Sequence, residues 1–373
     1  MPKLNPLFRA AIEEMEGYAP GEWPALDSGV LKLNSNENPY PPSPKVLDAL
    51  TEINGELLRR YPNPRGQTFC EIAGEMFGVP TDWIMVGNGS DDLLTLLIRA
   101  CAEPGVRSLA YPMPTYVLYR TLAAMQPAQT QEIVYQQSGT DWILPIDELI
   151  AAKAAITLIA TPNSPTGHVV PVSDLRRLAQ GVSGVLVIDE AYVDFVGEGA
   201  DKTSLALVHE FENVIVLRTL SKGYGLAGLR LGFALAQPSL LKGLLKVKDS
   251  YNVDAIALKL GAAALKDQSY KNSCVQKIIT ARNQLSEDLR ALSFKVWPSQ
   301  TNFLLVQPPA NTAENEATAN NTAEKIYLDL KENGIMIRYF AQPGLDDKLR
   351  ITVGTSAQNK RVVSAIASLL KHS

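Results

Sequence analysis

A chain of 373 residues exceeds the size at which a single hydrophobic core stops growing, about 250–300 residues, so it is expected to divide and leave a cleft. Its 46% hydrophobic and 20% charged residues describe a globular protein, and a net charge of −4 without any basic block argues against a nucleic-acid partner. The longest apolar runs, 93–98 and 156–160, are far below the roughly 20 residues of a membrane helix, and residues 2–16 lack the apolar core of a secretory signal, which predicts a cytoplasmic protein.

In chain order, residues 1–38 end in a short proline-rich stretch and are expected to lie against another part of the molecule rather than fold alone. Residues 39–268 read as a large α/β domain with a mostly parallel sheet. A helix is expected over 91–100 behind a Ser90 N-cap, strands over 108–111, 156–160, 185–188, 214–218 and 230–234, and helices over 172–179 and 238–264. Each strand is nearly continuous in apolar residues, as suits a sheet covered on both faces. Residues 269–373 read as a smaller α+β domain: a helix to Leu292, strands over 301–306, 335–338 and 349–353, and a terminal helix. The stretch 308–324, rich in Ala, Asn, Thr and Glu without apolar period, reads as a surface insertion. Cys70, Cys101 and Cys274 form neither a disulfide framework nor a metal cluster, so no metal is expected.

Several polar segments follow predicted strands, where open α/β sheets place ligands. In Val86-Gly87-Asn88-Gly89-Ser90-Asp91-Asp92, glycines allow a tight turn and the following helix offers N–H groups to an anion; a simple helix cap is the competing reading. Asp189, at the end of an apolar strand with Tyr192 three residues on, either pairs with a buried cation or caps the next helix. Lys222 lies between hydroxyls and glycines with Arg230 eight residues later, an order that suits a Schiff-base amine beside an anion site, whereas an isolated lysine is ordinarily a solvated group. A phosphate at a helix N-terminus, a carboxylate at a heteroaromatic nitrogen and a lysine for an aldehyde are the three anchors that pyridoxal 5'-phosphate needs.

Together with Tyr18-Ala19-Pro20-Gly21, Leu33-Asn34-Ser35-Asn36-Glu37-Asn38-Pro39, Arg60-Tyr61-Pro62, Pro114-Thr115-Tyr116, Pro165-Thr166-Gly167 and Leu349-Arg350-Ile351-Thr352-Val353-Gly354-Thr355, these segments resemble fold-type I pyridoxal-phosphate enzymes over nearly the whole chain, and within them the histidinol-phosphate aminotransferase family. The resemblance implies a transamination between an amino donor and 2-oxoglutarate in a homodimer, with residues 1–38 packing on the rest of that dimer. It makes Lys222 the cofactor-bearing amine and proton shuttle, Asp189 the partner of the pyridine nitrogen, Tyr192 a donor to the ring 3-oxygen and Tyr116 a stacking ring. Gly89, Ser90, Asp91, Thr219, Ser221 and Arg230 would cradle the phosphate, with Tyr61 reaching it from the neighbouring subunit. Arg350 would grip the anionic end of the substrate, with Arg338 as a second grip or else a surface ion pair, and Tyr18 and Asn36 at the entrance. The family usually has Asn directly before Pro-Thr-Gly; here Ser164 stands there and Asn163 precedes it, so the 3-oxygen contact is assigned to Asn163 with Ser164 as the alternative. An aromatic amino-acid aminotransferase and a threonine-phosphate decarboxylase-like lyase share these anchors.

Overall fold

A computed structural model describes residues 7–15, 17, 22–25, 27–106, 108–197, 203–309 and 316–371. Its centre is a seven-stranded sheet in the order Ile84–Asn88, Leu231–Ala236, Val214–Thr219, Val185–Asp189, Ile156–Ala160, Leu109–Met113, Thr130–Val134. Leu231–Ala236 runs antiparallel to both neighbours, and the other pairings are parallel. Alternation along each strand feeds two cores. Leu186, Ile188, Val214 and Val216 enter one, while Val187, Ile215 and Leu217 enter the other. The parallel strands end on one edge. Because Leu231–Ala236 runs the other way, its preceding residue, Arg230, arrives at that same edge.

A four-stranded antiparallel sheet, ordered Lys295–Val296, Phe303–Gln307, Leu349–Thr352, Arg338–Tyr339, forms the second layer. It shares a core with Gln268–Ala291, Glu316–Glu332 and Ser356–Lys371. Leu31–Lys32 pairs in parallel with Ile335–Met336, and Leu31 and Leu33 enter that core, which ties this part of the N-terminal segment to the smaller unit.

Four local expectations change. Asn88, not Ser90, is the N-cap residue of Gly89–Cys101, because the left-handed Gly89 (φ 77°) begins the helix immediately after the strand. The helix expected over 238–264 is two, Pro238–Leu244 and Ala255–Leu265. Asp254 starts the second by accepting from Ala257 N at 2.8 Å, and Asn252 is drawn away to Asp92 Oδ2, also at 2.8 Å. The strand expected over 335–338 divides at the buried Ile337, with Ile335–Met336 and Arg338–Tyr339 in different sheets. Helix Glu316–Glu332 begins inside the stretch expected to be a surface insertion.

Candidate active site

Ser90, Asp91, Tyr116, Asp189, Tyr192, Thr219, Ser221, Lys222 and Arg230 line one cleft with Asn36, Arg338 and Arg350. The strand ends supply one wall. Two glycines let its parts approach: a Cβ on Gly89 would lie 2.6 Å from Arg230 Nη2, and one on Gly232 would lie 2.6 Å from Ser90 N. This close approach brings the exposed N–H groups of the Gly89–Cys101 helix beside the guanidinium of Arg230, a donor set for an anion. The Asp91 carboxylate accepts from this set: its Oδ2 from Arg230 at 3.1 Å and its Oδ1 from the Tyr116 hydroxyl at 3.3 Å. Ser221 N and the Thr219 and Ser221 hydroxyls complete the corner, with N–H to Oγ1 at 3.1 Å and Oγ1 to Oγ at 3.0 Å.

Asp189 sits deeper. Its Oδ1 accepts from Ala191 N at 3.1 Å and its Oδ2 from the Tyr119 hydroxyl at 3.1 Å, yet burial still pushes its carboxyl up from 3.8 to about 6. Among the described residues no cation lies within 4 Å of it, so a protonated heteroaromatic nitrogen entering from the cleft meets an uncompensated buried acid. Lys222 Nζ donates to the Ser35 carbonyl at 3.2 Å and lies 5.8 Å from the centre of the Tyr192 ring. The Tyr192 hydroxyl accepts from Asn36 Nδ2 at 2.8 Å. Asn36 is itself left-handed (φ 56°) and is fixed by Thr352, whose Oγ1 donates to Asn36 Oδ1 at 3.1 Å. The donor set and the buried, cation-free carboxylate of Asp189 fit pyridoxal phosphate.

The opposite wall is cationic. Arg338 and Arg350 are directly opposed on neighbouring strands, where like charges repel. Phe340 lies beside both guanidinium groups, each 5.6 Å from its ring centre. Arg350 donates to Ser164 Oγ at 3.1 Å and to the Asn34 carbonyl at 2.8 Å.

Three predicted residues stand apart from the cleft wall, and a fourth cannot be placed on it. Asn163 is fully buried behind it, donating to Pro114 O and Thr166 Oγ1 and accepting from Thr115 Oγ1, so its amide is occupied by the loop; Ser164 lines the cleft instead. Gly89 acts beneath Arg230, as spacing. Tyr61 is 80% exposed outside the cleft and stacks on Tyr251 at 4.4 Å. Tyr18 lies outside the described residues. Sequence reasoning missed Tyr119, Phe340 and Gln342, for which no local motif gives a signal; Asn34, Ser35 and Thr115 lay within quoted motifs without being singled out.

The profile of the family described as aminotransferase class I and II matches residues 28–366. Histidinol-phosphate aminotransferase 1 of Trichormus variabilis is 58% identical over 364 residues, covering 98% of this chain and 99% of that protein. Histidinol-phosphate aminotransferase of Syntrophotalea carbinolica is 40% identical, covering 98% of this chain and 100% of that protein. In fold, the Sinorhizobium meliloti histidinol-phosphate aminotransferase, solved in complex with pyridoxal-5'-phosphate, superposes with a TM-score of 0.85 at 24% identity, over 98% of this chain and 99% of that one. The match spans both sheets and the cleft between them, and the chain belongs to the class I and II aminotransferases.

Proposed function

We propose that the chain is a pyridoxal-phosphate-dependent aminotransferase that moves the amino group of histidinol phosphate to 2-oxoglutarate. The reading is carried by the placement of a buried, cation-free Asp189, the amine of Lys222 and the anion corner of Ser90, Thr219, Ser221 and Arg230 in one cleft, across from a pair of arginines.

Pyridoxal phosphate, when bound, supplies a ring that accepts the electrons released when a substrate C–H bond breaks. Asp189 holds the proton on the ring nitrogen, since a buried carboxylate favours the adjacent cation. The amine of Lys222 would hold the cofactor's aldehyde between turnovers and would carry the proton from the substrate carbon during them. Tyr192, oriented by Asn36, donates to the ring 3-oxygen; Ser164, rather than Asn163, is the loop residue within reach of the cleft. Tyr116, which lines the cleft, would cover the ring face. Ser90, the backbone N–H of Asp91, Thr219, Ser221 and Arg230 would hold the cofactor phosphate.

For the substrate, two arginines opposed across neighbouring strands repel until an anion lies between them, and a phosphate monoester presents enough acceptor oxygens for both forks. Tyr18 and Asn36 belong to the entrance. The active unit is a cytoplasmic homodimer in which the exposed Tyr61 reaches the partner's phosphate corner and residues 1–38 contribute to the subunit contact, with 39–268 and 269–373 as its two domains.

The test is kcat/KM for histidinol phosphate, histidinol and phenylalanine, each with 2-oxoglutarate, while following glutamate and carbon dioxide. Glutamate formation with a strong preference for the phosphorylated donor is expected. Equal use of histidinol and its phosphate, or preference for phenylalanine, overturns the donor; carbon dioxide without glutamate overturns transamination.

A further inference from the structure

The Val185–Asp189 strand ends on one carboxylate, and a second, Glu190, follows with its N–H still on the ladder, so the two face opposite sides of the sheet. Asp189 lines the cleft. Glu190, with its side chain 1% exposed, meets Arg218 of the adjacent strand, Nε to Oε2 at 2.7 Å. That contact lies off the N–H axis, so it is an ion pair, and the guanidinium's directed bond goes to Thr203 Oγ1 at 2.8 Å. The other carboxylate oxygen, Oε1, accepts from Ser204 N at 2.6 Å and Ser204 Oγ at 2.7 Å. The backbone continues the ladder: Asp189 pairs with Leu217, and Glu190 N donates to Leu217 O at 3.0 Å.

The residues flanking this ion pair are the two ends of the cofactor site. Asp189 precedes Glu190 on one strand, and Thr219 follows Arg218 on the next. A buried ion pair is a poor source of stability compared with apolar residues of the same volume, so its use here is geometric. We infer that Glu190 and Arg218 are positioning residues that fix the spacing between the ring-nitrogen anchor at Asp189 and the phosphate anchors at Thr219 and Ser221. The inference rests on the cofactor reading given above. A ligand held at both ends gains from its second anchor only if the protein holds the two anchors at the ligand's own spacing; loosening the strand ends makes each anchor act alone.

The test compares pyridoxal phosphate with pyridoxal, which lacks the second anchoring group. Full-length protein freed of cofactor is titrated with each, and the ratio of the two Kd values is read as the advantage conferred by the phosphate. In Arg218→Met that ratio is expected to fall by about tenfold while pyridoxal itself binds nearly as before. Arg218→Met leaves the Glu190 charge buried and alone, which threatens folding, so the double replacement Glu190→Leu with Arg218→Met carries the same expectation without an orphaned charge. A ratio within about twofold of the parent's in either folded variant, or an equal loss for both ligands, would overturn the inference, because a merely structural role lowers Tm without separating the two ligands. A parent protein that binds neither ligand overturns the cofactor reading itself, a failure distinct from that of the variants.

Discussion

The two walls of the cleft are built differently. Along the strand-end wall, Asp189, Thr219 and Ser221 are 5%, 7% and 6% exposed, and each is tied by hydrogen bonds to residues on the same or adjoining turns. Their positions follow from backbone: strand register, a helix start and glycines where chains nearly touch. The opposite wall depends on long side chains laid over rings, with Arg338 and Arg350 beside Phe340. Changing a ring there re-aims a guanidinium without disturbing the sheet. The difference teaches how one scaffold can keep a reaction while varying its substrate: on the proposed function, the chemistry belongs to the rigid wall and selection to the adjustable one.

The largest effect is expected from Lys222→Ala, which should reduce turnover by roughly 10⁴-fold or more and remove the visible band of the lysine-bound cofactor. Borohydride fixing of cofactor to a different lysine would break the division between walls at its first point. Next is Asp189→Asn, with turnover lowered by roughly 10²–10³-fold at saturating cofactor. The same replacement has the opposite effect on the cofactor-free protein. Because burial raises the folded-state value from 3.8 to about 6, ionised Asp189 opposes folding at pH 8, and Asn should stabilise that form by about 3 kcal/mol. The gain shrinks as pH falls through 6 and is gone below about 4. Thermal unfolding of both cofactor-free proteins from pH 4 to 8 checks it, and equal Tm values at pH 8 would sink it.

A smaller change, confined to the other wall, is expected from Arg350→Lys. A single point charge replaces a fork that also holds Ser164 and Asn34, so KM for a phosphorylated donor should rise by about 10–100-fold, with cofactor Kd nearly unchanged. Equal losses in cofactor and donor binding would erase the distinction between walls. The smallest is Tyr119→Phe: losing its bond to Asp189 Oδ2 leaves the carboxyl less acidic, so the acid limb of kcat/KM should move slightly upward in pH, without a change in donor preference.

The rigid wall was the more legible in the sequence for the same reason that it is rigid. Glycine, hydroxyl and acidic residues at strand ends act through local backbone, and local backbone is what a contiguous motif records. Ser90, Asp189, Thr219, Ser221, Lys222 and Arg230 therefore fall into one cleft as expected. Tyr119 and Phe340 reach the site through tertiary packing, and although Tyr116 and Arg338 stand close to them in the chain, no motif includes them. Asn163 shows the limit of a motif shifted by one residue: that shift turns its amide into the loop and leaves the short hydroxyl of Ser164 at the wall. In the fold, strands are legible as nearly continuous apolar runs, while the division of 238–264 combines the Asp254 cap with Asn252 reaching Asp92 from far along the chain.

The pairing of Leu31–Lys32 with Ile335–Met336 bears on the order in which the polypeptide matures. During synthesis the strands from Ile84 to Ala236 emerge together and have every sheet partner they need before the last third of the chain is made. The strand at Leu31 leaves the ribosome earlier still, yet its partner at Ile335 follows only after the whole central sheet. Until then its apolar residues have no native place, so an early strand is among the last to settle, and a nascent chain halted before Ile335 should show a protease-resistant centre with the Leu31 segment open to cleavage.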